Sequence, residues 1–122
     1  MKWYDWYFEV LKKYAVFRGR ARREEFWYYV LLNFIISTAL YIIGIISPYH
    51  LLMVIYWIYA LAVFIPGLAV GIRRLHDIGK SGWWILLDFI PIIGWIIIII
   101  FWVTDSQPGE NIYGLNPKTI AQ

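Results

Sequence analysis

Hydrophobic and polar positions along this chain separate into long blocks. Three apolar stretches, at 26–46, 51–72 and 83–103, are each about as long as a bilayer is thick, and Asp88 is the only formal charge inside any of them. A helix needs roughly 20 mostly apolar residues to cross ~30 Å of hydrocarbon. The pattern therefore predicts three transmembrane helices in a small bundle. A soluble bundle would need a polar face on each helix. The run from Trp95 to Trp102 has none.

Before the first stretch the period changes. At ~100° per residue, Trp3, Trp6, Tyr7, Val10, Tyr14 and Phe17 fall on one face, and Asp5, Glu9, Lys12 and Lys13 on the other. This predicts an amphipathic helix over 3–17 lying in the membrane interface. Packing of the same ring face against the chain's own spans is the other open reading. Phe8 and Val16 break the pattern.

Punctuation marks the remaining boundaries. Ser47-Pro48-Tyr49-His50 is long enough only for a hairpin between adjacent helices. The second stretch ends in Gly67-Leu68-Ala69-Val70-Gly71, a GxxxG that admits close helix packing, within the chain or in a dimer. Ser81 is placed to cap the third helix, and Trp83 and Trp84 mark its entry through the interface. Pro91 and Gly94 interrupt the third stretch. The expectation is a kinked span. A re-entrant loop, which would return the tail to its starting side, is the alternative. The tail 104–122 is polar and rich in turn residues. The whole chain, 1–122, reads as one all-α membrane domain.

Composition sharpens the picture. The chain is 61% apolar, with eight Trp and ten Tyr and no Cys. Disulfides, thiolate nucleophiles and Cys-based metal sites are excluded. The net charge is +3, and seven of the eleven Lys and Arg precede the first stretch; the first loop has none, the second loop three and the tail one. Positive loops stay in the cytoplasm. With three spans this puts the N-terminus in the cytoplasm and the C-terminus outside. The basic N-terminal segment suits an anionic membrane surface, not nucleic acid.

Candidate chemistry gathers in few places. Arg73 and Arg74, with Arg20 and Arg23, could form a clamp for one lipid headgroup, since a guanidinium meets phosphate at two points; a topology signal is the simpler duty. His76-Asp77 has the make-up of an oriented base or a pH sensor, but no nucleophile is paired with it. No metal-ligand spacing or cofactor motif is present. Asp88 lies five residues past Trp83 and is a functional candidate by its membrane position; an ion pair with Arg73, Arg74 or Lys80 is the structural alternative.

Three motifs resemble the bacterial inner-membrane family catalogued as domain of unknown function 805: Phe17-Arg18-Gly19-Arg20 with Arg23, Phe26 and Trp27; Arg73-Arg74-Leu75-His76-Asp77 followed by Ser81-Gly82-Trp83-Trp84; and Pro108-Gly109-Glu110-Asn111 with Tyr113-Gly114 and Asn116-Pro117. Ile112 departs from the family, which often has a basic residue before the Tyr. The resemblance implies an integral inner-membrane protein of several helices and no particular activity. The residues together predict a non-enzymatic scaffold that meets lipid or a membrane partner. Its lipid- or partner-binding candidates are Arg20, Arg23, Arg73, Arg74, His76, Asp77, Trp83 and Trp84. The alternative is a homo-oligomeric transporter with Asp88 as the coupling site.

Overall fold

A computed structural model describes residues 2–117. The lysine counted in the tail and the last residues of the domain lie outside these. Among the described residues every long element is helical: α1 (Asp5–Lys12), α2 (Arg23–Ile46), α3 (Met53–Asp77), a 3-10 segment (Gly82–Phe89) and α4 (Ile93–Val103).

α2 has 24 residues and α3 has 25, so each is roughly 36 Å long at 1.5 Å per residue and can cross the hydrocarbon. Their middles are bare. Phe34 is 68% exposed, Leu61 74% and Phe64 63%. A continuous apolar surface of this kind is stable in lipid, where the backbone bonds are satisfied inside each helix. The joining turn is tight. Ser47 Oγ donates to the Gly44 carbonyl at 2.7 Å and accepts from Leu52 N–H at 3.1 Å. Gly44 permits the approach, because a Cβ there would stand 2.9 Å from Met53 Cα.

Pro66 sits inside α3. It removes a donor and disturbs the carbonyls one turn back. The Tyr29 hydroxyl, from α2, donates to the Val63 carbonyl at 2.9 Å. The GxxxG is used within the chain: Gly67 faces the Tyr29 ring, and Gly71 faces Ile85 and Trp102.

The helix expected over 3–17 is shorter, and the middle of its ring face turns inward while Trp3, Tyr14 and Phe17 stay exposed. α1 ends at Lys12. Trp6, Tyr7 and Val10 are buried, Tyr7 stacks on Tyr29 at 5.4 Å, and the Tyr7 and Tyr59 hydroxyls share a hydrogen bond of 2.8 Å. Hydroxyls at this position find acceptors on α3 that a lipid surface would not supply. Phe8, off the predicted face, packs edge-on against Tyr7 and stays exposed.

The largest correction concerns 83–103. The stretch is a hairpin and not one helix. Its first limb is the 3-10 segment, which Ser81 caps by accepting from Trp83 N–H as expected. Ile90 leaves the helical region at ψ 105°, as the residue before a proline tends to, and Ile92 takes φ 66°. Ile93 N–H then bonds the Pro91 carbonyl at 2.7 Å, closing the turn. α4 runs back along the first limb: Trp95 Nε1 donates to the Asp88 carbonyl at 2.9 Å, and Gly94 lies so close to the Leu87 carbonyl that a Cβ would collide with it. Eight 3-10 residues at ~2.0 Å and eleven α residues at ~1.5 Å each cover only about 16 Å. Neither limb crosses a bilayer.

Both limbs therefore end at the C-terminal end of α3. The tail that follows is bonded to residues of the N-terminal segment there, which corrects the expected separation of the two across the membrane. A bilayer cannot lie between groups in hydrogen-bond contact.

Candidate functional site

Polar groups converge where α3 ends. Segment 16–21 runs beside its last turn: Arg73 Nε donates to the Val16 carbonyl at 3.0 Å, Ala21 N–H donates to the Arg73 carbonyl at 3.0 Å, and His76 Nδ1 bonds the Gly19 carbonyl at 2.9 Å. Gly19 makes the bend possible at φ 85°. The bend delivers Arg20 to Asp77.

Asp77 is the centre of the cluster and is 0% exposed. Its Oδ1 accepts from Arg20 Nε at 3.0 Å, and its Oδ2 accepts from Arg74 Nη1 at 2.7 Å and from the Ser106 hydroxyl at 2.5 Å. Arg20 spends its other donors on main-chain carbonyls: Gly109 at 2.7 Å, Gly114 at 3.3 Å, Asp77 at 3.1 Å and Gln107 at 2.6 Å. One guanidinium thus holds the tail and α3 together, which suits its planar fork of five donors. Arg73 pairs with Glu25 at the base of α2, Nη1 to Oε2 at 2.5 Å. Arg74 Nε reaches the Trp102 carbonyl at 3.1 Å, joined there by Trp27 Nε1 at 3.0 Å, while Arg23 Nη1 bonds the Val103 carbonyl at 3.2 Å. These are the carbonyls that the C-terminus of α4 leaves without helical donors, and cations beside them offset the negative end of the helix dipole.

The tail completes the hub. Gln107 N–H donates to the Asp77 carbonyl at 2.9 Å, and Asn111 Nδ2 donates to the His76 carbonyl at 3.0 Å. Residues 111–114 form a tight turn in which Asn111 and Gly114 exchange backbone bonds. The Tyr113 ring stacks on His76 at 4.0 Å and 3°. His76 lies beyond the apolar stretch of α3, which ends at Ile72. Burial holds its imidazole below the ordinary value, and the Gly19 carbonyl opposes that shift.

Several expectations change. The acid–base pairing of His76 and Asp77 is not made, since Asp77 faces arginines and Ser106 while His76 faces Gly19 and Tyr113. Arg73 and Arg74 are 1% and 0% exposed, so they are turned from the lipid surface that the clamp would meet. Arg23 keeps an exposed side chain, 3.8 Å from Asp105. Trp83 and Trp84 stand on the outside of the hairpin mouth, Trp83 at 78% exposure, with Lys80 over the Trp84 ring. Asp88 is paired with none of Arg73, Arg74 or Lys80: the arginines are engaged in the hub, and no side-chain bond or ion pair holds its carboxylate among the described residues. Glu25, Ser106 and Gln107 were not among the candidates, because nothing local to them signals a partner 29 to 87 residues away.

Two long lipid-exposed helices and an apolar hairpin, all tied at one end by a buried polar hub, define a small integral membrane protein. The sequence profile of a family described as protein of unknown function (DUF805) matches residues 14–115. Inner membrane protein YhaI of Escherichia coli strain K12 is 45% identical over 114 residues, covering 93% of this chain and 96% of that protein. Inner membrane protein YhaH of the same organism is 45% identical over 125 residues, covering 93% and 97%. The uncharacterized protein YiiR is 30% identical over 92 residues, covering 70% and 56%. No solved structure matches the chain. The chain belongs to the DUF805 family of bacterial inner membrane proteins, and the three motifs that carry the resemblance are the three segments that meet at Asp77.

Proposed function

We propose that this is a non-enzymatic membrane scaffold that holds a lipid at the mouth of its hairpin. One observation carries the reading. A cavity of about 410 Å³ lies deeper in the bundle, but at the hairpin mouth a second one, of about 380 Å³, opens between Phe17, Ile72, Trp83 and Leu86, with His76 and Ser81 on its polar side. Apolar walls with a few convergent polar groups at a membrane surface suit an acyl chain below a headgroup. Lys80, over the Trp84 ring, supplies positive charge at the mouth, favouring an anionic headgroup.

The same reading orients the chain. Positive residues cluster in the N-terminal segment and in the second loop, which supports a cytoplasmic hub. The hairpin then enters and leaves the bilayer from that side, and the tail is cytoplasmic. Lipid retained through purification, measured by native mass spectrometry, tests the proposal. Trp83→Ala with Lys80→Ala is expected to lower anionic-lipid retention several-fold. Unchanged retention would remove the mouth as the lipid site.

A further inference from the structure

The cavity deeper in the bundle shares only Ile85 with the hairpin mouth, and either site can fail without the other. It is open-sided, has a volume of about 410 Å³ and is bounded by Asn33 and Ser37 of α2, Tyr56 and Phe64 of α3, and Ile85 and Asp88 of the hairpin. Asp88 is six residues past Gly82 in a 3-10 segment, so it stands roughly 12 Å in from the hub end. Its carboxylate is exposed at this depth with no partner among the described residues. A carboxylate facing hydrocarbon is costly, and such groups face a cavity or a partner.

The lining identifies the partner's chemistry. The wall contains one acid and no base, which selects positive over negative charge. A bare metal ion wants about six oxygen ligands. The cavity offers one carboxylate, an amide oxygen already accepting from Tyr59 at 2.9 Å, and hydroxyls. An ammonium group needs only two or three acceptors, and the Tyr56 and Phe64 rings add faces that attract cations. Phe64 and Ile85 match an alkyl body. We infer that this cavity binds an amphiphile bearing a protonated amine, its nitrogen on Asp88 and its chain along α3.

Dodecylammonium and dodecanol, titrated calorimetrically into the protein in zwitterionic phosphatidylcholine nanodiscs with empty-disc partitioning subtracted, test the site. Saturable binding of dodecylammonium, weakened about tenfold or more by Asp88→Asn and retained by Asp88→Glu, is expected from a charge-assisted hydrogen bond. The Asp88 carboxylate has no partner among the described residues, and the Trp95 bond goes to its backbone carbonyl, so Asp88→Asn should fold, and circular dichroism verifies that it has. Ser37→Phe, which fills the cavity, should weaken binding as well. The inference is overturned if wild type and Asp88→Asn bind the amine equally, if dodecanol binds as tightly, or if crosslinking shows Asp88 covered by a second copy that excludes the amine.

Discussion

At the scale of single residues, stability concentrates in Asp77. Its two oxygens serve two guanidiniums and one hydroxyl with no exposure to solvent. Removing one member of a buried ion pair leaves uncompensated charge and costs about 3–5 kcal/mol. Asp77→Ala should therefore lower the unfolding temperature in detergent sharply, and Ser106→Ala less, by about 1.5–3 kcal/mol for a hydrogen bond to a charged group. Thermal unfolding followed by circular dichroism measures both. His76 gives a pH dependence of definite sign. Burial depresses its folded pKa, so between that value and about 6.5 the unfolded chain binds more protons. Its contribution is complete above about 6.5 and declines as pH falls toward the folded value. Unfolding at pH 7.5 and pH 5.5 should show this slope, and His76→Gln should flatten it.

At the scale of elements, the hairpin turn holds the strain. Ile92 is β-branched and sits at φ 66°, ψ −71°, a three-residue turn that is rare for such residues. Ile92→Gly should stabilise the protein by about 1 kcal/mol, since glycine adopts this conformation without steric penalty. The opposite change is Gly94→Leu, whose Cβ would strike the Leu87 carbonyl. It should pry the limbs apart, which cysteine labelling near Phe89 in membranes would detect as increased reactivity. Gly94 and Pro91 were legible from the start as interruptions. Their consequence was not, because a kinked span and a hairpin share the same local chemistry. The difference lies in where the second limb ends, and that is decided by Arg74 and Trp27 bonding the Trp102 carbonyl from 28 and 75 residues away.

At the scale of the molecule, the hub makes one end of the bundle a polar knot and leaves the rest to lipid. The N-terminal segment, the end of α3 and the tail cannot be on different sides of the membrane while Arg20 bonds Asp77, Gln107 and Gly109. Reporter fusions placed at His50, at Lys80 and after the C-terminus should give one phenotype for the last two and the opposite for His50. A tail reporter matching His50 would contradict the hairpin. The oligomer needed for the transport alternative makes a separate prediction. A chain that remains monomeric in nanodiscs would exclude it, since two helices and a short hairpin enclose no path of their own.

The membrane class, the two long helices, the first hairpin, the Ser81 cap and the family were all readable from the chain, because each rests on neighbours within a turn or on a run of apolar side chains whose free energy in lipid needs no partner. The arginines were readable as important but not in their role. Positive charge near a span serves equally for lipid contact and for internal pairing, and only Asp77, Glu25 and the returning tail assign it to pairing. The sequence left 83–103 open between a kinked span and a re-entrant loop, and the tertiary structure decided for the loop. Sixteen ångströms of limb can double back only when distant donors wait to satisfy its final carbonyls.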